Sequence, residues 1–287
     1  MSPPRYAWRE LLATVATVGA AILILLPPLR PSSADLSTTA SAALSGPISK
    51  TQLSHLELPP TGRECRVQRG SLVRGGPTDR KRIALSFDDG PSTFTPSILQ
   101  TLRRYKAHAT FFVNGVWVKS ANREHILREE LAYGNEIGNH TESHPQLTKL
   151  SRKEIDGELD LTQQKIDAAT GFMPCLFRPP YGSVDPFVLR QLKRHRFATV
   201  AWNVDSLDYE RLGSRALANN VLSGARPGAI VLMHDGVIRR QQTVDALPMI
   251  LRGLRRRHLE PVTVSQLFSP GGRGTAGTRA ALAIRAP

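Results

Sequence analysis

Short, mostly apolar runs alternate with amphipathic stretches of helical period along the chain from Arg82 to Phe268. Short apolar runs fit buried strands, and apolar side chains spaced three and four residues apart fit helices. This alternation is typical of a mainly parallel sheet covered by helices, here about seven units that we expect to close into a barrel. The predicted strands are Arg82–Phe87, Ala109–Val113, Glu136–Gly138, Leu176–Arg178, Phe197–Trp202, Ala229–Met233 and Glu260–Val264, and the predicted helices are Thr95–Tyr105, 121–133, Ser151–Ala169, 186–195, 214–223 and 241–257.

Two adjacent carboxylates, Asp88 and Asp89, follow the first predicted strand and precede Gly90 and Pro91. Because Asp, Gly and Pro all favour turns, a polar turn without further function is one interpretation. Successive side chains of a strand point to opposite faces, so at a strand end the two carboxylates can reach different partners. One could then bind a metal ion and the other a substrate.

A pair of histidines, His140 and His144, follows the predicted strand that ends at Gly138. Two imidazoles and one carboxylate form a common zinc site that leaves positions open for water and substrate. The alternative for a histidine pair by itself is an exposed loop with structural hydrogen bonds. Active sites of parallel α/β folds lie where strands end, and both the aspartate pair and the histidine pair fall there.

Three further polar clusters also fall at predicted strand ends. Residues 178–182, Arg-Pro-Pro-Tyr-Gly, form either a rigid loop whose Arg178 pairs with a carboxylate or a proline turn with a solvated arginine. Residues 202–209 carry two aspartates between aromatic side chains, which fits a sugar-binding wall or simply a polar loop. His234 follows a buried apolar strand, where it could serve acid–base chemistry or pack as a core histidine.

Together the five clusters resemble the polysaccharide deacetylase family, also called the NodB-homology group or carbohydrate esterase family 4. The resemblance covers roughly residues 80–268. It implies an α/β fold, a distorted (β/α)7 barrel, and metal-dependent hydrolysis of N-acetyl, sometimes O-acetyl, groups on a sugar polymer. The matching segments are Ser86–Pro91, His140–Pro145, Arg178–Gly182, Asp205–Tyr209 and Leu232–Gly236.

The resemblance implies a role for each polar residue of these segments. Asp88 would be the catalytic base with Arg178 as its ion-pair partner, and His234 would be the general acid oriented by Asp208. These roles suit amide hydrolysis, in which a base removes the proton of water and an acid protonates the departing amine. The ligands of a divalent metal, zinc in the first place and Co²⁺ or another divalent ion as alternatives, would be Asp89, His140 and His144.

Three more residues would contact the substrate according to the resemblance. The backbone N–H of Tyr181 would donate to the oxyanion, and Leu232 would line the acetyl pocket. Tyr209 stands where the family usually has tryptophan. It keeps an aromatic face in the groove wall but alters the shape of that wall, so the substrate preference does not follow from the resemblance.

The N-terminus carries the pattern of an export segment. Arg5 and Arg9 precede an uncharged apolar run from Leu11 to Leu26, and two prolines end it. A basic region followed by an apolar segment predicts a signal peptide or a signal anchor, with a buried helix of a soluble domain as the alternative. Either export interpretation places the rest of the chain outside the cytoplasm, secreted or anchored in the membrane.

We therefore divide the chain into four parts. Residues 1–28 are the signal peptide or anchor, and residues 29–75 are a flexible linker rich in small and polar residues. Residues 76–268 form the catalytic domain. Residues 269–287 resemble the linker in composition and are predicted to be a disordered tail.

The charge of this 287-residue chain limits the partners that it is expected to bind. Its net charge is +14, of which less than half falls within residues 82–268, and the basic flanks would favour anionic lipid or wall polymers. An export segment and the lack of a basic motif interleaved with aromatic residues argue against nucleic acid.

Cys65 and Cys175 could form one disulfide in an oxidising compartment, and two free thiols are the simpler interpretation.

Three functions remain open on this evidence, and the oligomeric state is not predicted. The favoured one is an exported N-deacetylase of peptidoglycan or a chitin-like polymer of N-acetylglucosamine. The second is a hydrolase of the same fold that acts on O-acetyl esters or a small amide. The third is a non-catalytic wall-binding module, which the intact Asp88, Arg178 and His234 argue against.

The apolar segment is expected to remain on the mature protein as an anchor. Residues 27–30, Pro-Pro-Leu-Arg, lack the small side chains of a signal-peptidase site. Sequencing the N-terminus of the protein recovered from membranes should therefore give the residues that precede Leu11. A mature chain that begins near residue 35 would contradict the anchor.

Overall fold

The computed structural model describes residues 65–236 and 239–270, which form an α/β unit. Every strand pair among these residues is parallel. The strands are β1 (Leu72–Val73), β2 (Arg82–Gly90), β3 (Thr110–Val113), β4 (Glu136–Asn139), β5 (Leu176–Phe177), β6 (Ala198–Val200), β7 (Val204–Asp205), β8 (Ile230–His234) and β9 (Glu260–Val262). The helices are α1 (Thr95–Tyr105), α2 (Ala121–Ala132), α3 (Arg152–Thr170), α4 (Pro186–Arg194), α5 (Ser214–Gly224), α6 (Gln241–Arg256) and α7 (Val264–Leu267).

The sheet is arranged around β2, which pairs with β3, β8 and β9. Along the hydrogen-bonded path the strand order is β1-β6-β5-β4-β3-β2-β8-β7. Side chains of β2 alternate between two apolar clusters, because successive residues of a strand point to opposite faces. Ile83, Leu85 and Phe87 pack against one cluster, and Ala84 packs against the other. Burial on both faces explains why the sequence of this strand is a nearly continuous apolar run.

Local capping signals fix α3 as the sequence predicts. The side chain of Ser151 accepts from the backbone N–H of Glu154, and the Glu154 side chain accepts from the Ser151 backbone N–H. This reciprocal capping box satisfies two N–H groups that the first turn leaves without partners. Gly171 ends the helix in a left-handed conformation with φ 66°, which glycine adopts without a steric penalty.

Several elements differ from the sequence prediction. β2 does not end at Phe87 but continues to Gly90, because the ladder to β3 and β8 includes Asp88 despite its polar side chain. The predicted strand Phe197–Trp202 is shorter and is followed by a separate strand, β7. β1, β7 and α7 were missed because two to four residues are too few to show a period.

The parallel α/β class is confirmed, but the strands form a half-barrel rather than the closed barrel that the alternation predicts. The hydrogen-bonded path of the described residues ends at β1 on one side and at β7 on the other. β1 and β7 are not hydrogen-bonded to each other, and residues 201–203 connect β6 to β7 across the opening between them. The backbone N–H of Asn203 donates to the carbonyl of Ile230 at 3.2 Å. Trp202 lies in this connection and lines the cleft described below.

The residues at the start of the described range belong to the folded unit. Cys65 and Cys175 form a disulfide with their Cα atoms 5.9 Å apart, so the simpler interpretation of two free thiols is wrong. Val67 is buried, and β1 lies within the segment that the sequence predicts as a linker. A two-residue strand gives no periodic signal against a background of small polar residues.

The predicted export segment, most of the linker and most of the tail lie outside the described residues. Among the helices of residues 65–236 and 239–270, none combines the length and the hydropathy that a bilayer span requires.

Replacing both cysteines should lower the free energy of unfolding by about 4 kcal/mol. The two cysteines are 110 residues apart, and a cross-link that closes a long loop removes much entropy from the unfolded chain. The measurement is denaturant unfolding of the full chain with Cys65→Ser and Cys175→Ser, compared with the wild type before and after reduction. Two titratable thiols in the unfolded, unreduced wild type would contradict the pairing.

Candidate active site

Asp88 and Asp89 end β2 with different backbone conformations. Asp88 stays in the ladder and pairs with Phe112 of β3 and His234 of β8. Asp89 has φ 73°, a left-handed conformation that costs about 1–3 kcal/mol for residues other than glycine, and the register with β3 shifts here. The two carboxylates therefore leave the strand in different directions and contact different partners.

Asp89 lies beside both histidines of the second cluster. The ligating atoms of Asp89, His140 and His144 all lie within 4.8 Å of one another. Asp89 Oδ1 is 3.6 Å from His140 Nε2 and 3.5 Å from His144 Nε2. The histidines lie on a loop after β4 and not on a helix, and left-handed residues Thr141 (φ 70°) and His144 (φ 61°) turn this loop back on itself. The second imidazole thereby returns towards the first.

The tautomer of His140 leaves the lone pair of Nε2 facing Asp89. Nδ1 of His140 lies 2.6 Å from the carbonyl oxygen of Arg178 and donates to it. Burial lowers the pKa of His140 to about 3, so the ring is neutral and Nε2 carries no proton. Asp89 Oδ1 is buried and has no hydrogen-bond partner among the described residues. Oxygen and nitrogen lone pairs that converge without a proton between them fit a divalent cation such as zinc.

Asp88 is paired with Arg178, whose side chain is fully buried at 0 % exposure. Nη1 of Arg178 donates to Asp88 Oδ1 at 2.7 Å and to Ser86 Oγ at 2.8 Å, and Nε donates to the Val200 carbonyl at 3.2 Å. Burial raises the pKa of Asp88, and the charge of Arg178 opposes this rise. The other oxygen, Oδ2, lies 3.8 Å from His140 Nε2 and so faces the histidines.

His234 is paired with Asp208 on the other side of the cleft. Nδ1 of His234 donates to Asp208 Oδ1 at 2.7 Å. Asp208 Oδ2 accepts from the His234 backbone N–H at 2.8 Å and from Thr243 Oγ1 at 2.9 Å. Burial acts to lower the pKa of His234, but the hydrogen bond to Asp208 and the charges of Asp208, Asp88 and Asp89 together outweigh burial, so that pKa lies above its usual value. The imidazole is thus held in one orientation and favoured in its protonated form.

A cleft of about 410 Å³ joins these groups, and the three substrate-binding residues predicted from the sequence line it. Tyr181 is 71 % exposed and packs edge-on against His144, with ring centroids 4.7 Å apart. Leu232 is buried below the cleft. Tyr209 is 42 % exposed, and its hydroxyl donates to Asp205 Oδ2 at 3.3 Å. The structure therefore brings every predicted site residue to one place.

Sequence reasoning missed one buried cation of the cleft, Arg240, which is 3 % exposed. Its Nη2 lies 3.9 Å from Asp89 Oδ2 and its Nη1 lies 3.7 Å from Asp208 Oδ1, so it lies between the predicted metal ligands and the His234–Asp208 pair. Its Nε donates to the Gly236 carbonyl at 2.9 Å. Arg239 precedes it and is exposed, so no local pattern could have distinguished the two arginines.

Comparison with known proteins agrees with this geometry. The family model for polysaccharide deacetylases matches residues 75–200. A peptidoglycan-N-acetylglucosamine deacetylase of Bacillus cereus is 39 % identical over 195 residues, which cover 67 % of this chain and 90 % of that protein. The peptidoglycan-N-acetylglucosamine deacetylase PgdA of Listeria monocytogenes is 39 % identical over 189 residues, 66 % of this chain. That match spans only 39 % of the Listeria protein.

A solved structure supports the same assignment. The Bc1960 peptidoglycan N-acetylglucosamine deacetylase, crystallised with 4-naphthalen-1-yl-N-oxidanyl-benzamide, matches the fold with a TM-score of 0.66 and 32 % sequence identity. The match covers 71 % of this chain and 94 % of that one. With its fold, its cleft and its relatives in agreement, the chain belongs to the polysaccharide deacetylase family, carbohydrate esterase family 4.

Proposed function

We propose that the chain is an exported, divalent-metal-dependent hydrolase that removes N-acetyl groups from a sugar polymer, peptidoglycan or a chitin-like chain of N-acetylglucosamine. One observation carries this proposal: the triad of Asp89, His140 and His144 shares a single cleft with Asp88 and His234, each already paired. The names of the relatives favour peptidoglycan. The disulfide fits an oxidising compartment, and residues 1–28 would direct the export and anchor the chain.

The nucleophile side of the reaction depends on Asp88. When bound at the triad, a zinc ion would supply polarisation of the acetyl carbonyl and a lower pKa for water. Asp88 accepts the proton of the attacking water on Oδ2, because Oδ1 is engaged by Arg178. Arg178 favours the ionised carboxylate, since an opposite charge stabilises it against the effect of burial.

The leaving-group side depends on His234. Its Nδ1 proton is held by Asp208, so the Nε2 proton is the one available for the departing amine nitrogen. Transfer of that proton lets the carbon–nitrogen bond break, with acetate and a free amine as products. Asp208 keeps the imidazolium favourable because its charge is buried close to the ring.

The substrate is oriented by the walls of the cleft. The backbone N–H of Tyr181 would donate to the oxyanion of the tetrahedral intermediate. Leu232 would contact the acetyl methyl group, and Tyr209 would present an aromatic face to the sugar. An ester of the same acetyl group would fit these contacts too, so acetate release from O-acetylated and N-acetylated sugars must be compared. No acetate from chitin oligomers or peptidoglycan, with or without added zinc, would contradict the proposal.

Metal binding should depend on the three ligands as a set. We expect His140→Ala or His144→Ala to lower zinc affinity and activity at least about tenfold, because one of three protein ligands is lost. His125→Ala is the matched control, since His125 lies on α2 outside the cleft. Elemental analysis of each variant gives the metal content. Full zinc occupancy in the His140/His144 double variant would rule out this ligand set.

Removing the charge of Asp88 and removing that of Asp89 should change zinc binding and turnover in different ways. Asp88→Asn should retain zinc and lose turnover at least about a hundredfold, the usual scale for a general base. Asp89→Asn should lose zinc along with turnover, and excess zinc should restore part of the activity by mass action. The measurements are metal content and acetate release.

Asp245→Asn, an exposed aspartate on α6, controls for the loss of one carboxylate. Circular dichroism checks that Asp88→Asn is folded, because this change leaves the buried Arg178 without its charged partner. If Asp88→Asn lost zinc while Asp89→Asn kept it, the two roles would have to be exchanged.

A further inference from the structure

A second cleft, of about 290 Å³, is not used by the hydrolysis described above. It lies between the loop after β2, the turn after β3, the start of α2 and the segment before α6. We call it the arginine cleft and define it by Pro91, Trp117, Arg123 and Arg239. Trp117 is 36 % exposed, so this cleft presents an accessible aromatic surface beside two guanidinium groups.

The arginine cleft opens at the same edge of the sheet as the active site. Pro91 follows the metal ligand Asp89 by two residues, and Arg239 directly precedes Arg240 of the active-site cleft. Two residues of chain span at most roughly 7 Å. The arginine cleft therefore begins close to the predicted metal site.

The charges of the arginine cleft are not neutralised by neighbouring carboxylates. No aspartate or glutamate lines it, and neither Arg123 nor Arg239 forms an ion pair within residues 65–236 and 239–270. Nη1 of Arg123 donates to the Pro91 carbonyl at 2.8 Å, which holds this side chain at the cleft wall. Lys119 lies over the Trp117 ring at 5.5 Å and adds a third positive charge.

The other side of the active-site cleft, by β7, carries both signs of charge. In the sheet, β7 lies beyond β8, whereas the arginine cleft lies by β2 and β3. Asp205 of β7 lines the active-site cleft, while Glu210 and its neighbour Arg211 are both exposed. A polymer that carries carboxylates would therefore be attracted more strongly at the arginine cleft than by β7.

We propose that the arginine cleft binds a carboxylate carried by the sugar next to the one that is deacetylated. This inference rests on the proposed function and narrows its substrate class to a glycan with carboxylate-bearing substituents, such as peptidoglycan with its peptide side chains. A guanidinium group binds a carboxylate through two parallel hydrogen bonds. A neutral chitin-like polymer offers no group for these contacts.

The test compares Arg239→Gln with Arg239→Lys in the full chain. Arg239 is exposed and has no hydrogen bond that its loss would break among the described residues. Arg255→Gln on α6 is the matched control, because it removes an exposed charge that lies outside both clefts at this edge. The three ligands are a peptidoglycan fragment with free carboxylates, the same fragment with its carboxylates amidated, and a chitin oligomer of equal length.

Affinity is measured by titration calorimetry with the metal chelated, and KM and kcat are measured with zinc present. We expect Arg239→Gln to weaken binding of the free-carboxylate fragment and raise its KM about fivefold, with kcat unchanged. Arg239→Lys should recover part of this affinity because it keeps the charge. Binding of the amidated fragment and of the chitin oligomer should not change.

Two outcomes would overturn this inference: an equal effect of Arg239→Gln on all three ligands, or no effect that exceeds that of Arg255→Gln. The calorimetry measures binding at the arginine cleft independently of turnover. Selective binding of the free-carboxylate fragment without acetate release would support the arginine cleft and contradict the proposed function.

Discussion

The buried ion pair between Arg178 and Asp88 is the interaction on which the rest of the site depends. The guanidinium group connects the end of β2, through Asp88 and Ser86, to the last residue of β6 and the residue after it. The carbonyl of Arg178 accepts the Nδ1 proton of His140 and so determines which nitrogen faces Asp89. Removing one partner of a buried pair typically costs about 3–5 kcal/mol, since the other charge is left without compensation.

The cleft contains charged groups that are oriented before any substrate arrives. Asp88 is fixed by Arg178 and His234 is fixed by Asp208, each at 2.7 Å. Arg240 lies within 4 Å of both Asp89 and Asp208 and reduces the repulsion between these buried carboxylates. Groups that are already oriented in a site of low dielectric need little reorganisation during reaction, which is the usual source of electrostatic catalysis.

Much of this arrangement could be predicted from the sequence because it is encoded locally. Burial of β2 on both faces gives a continuous apolar run, and Ser151 with Glu154 marks the start of α3. The polar clusters could be placed together because parallel strands end at one edge of a sheet. The disulfide and the burial of Arg240 could not be predicted, since both depend on contacts between residues distant in sequence. β1 and β7 are too short to give a pattern.

The two adjacent aspartates at the end of β2 have different roles: Asp89 would bind the metal, and Asp88 is paired with Arg178. The most direct measurement is anomalous diffraction at the zinc absorption edge from crystals of the protein loaded with zinc. This assignment of roles predicts one strong peak bound by Asp89 Oδ1, His140 Nε2 and His144 Nε2, with the Asp88–Arg178 pair intact. A zinc ion bound by Asp88 with Asp89 turned away, or no peak in this cleft, would contradict it.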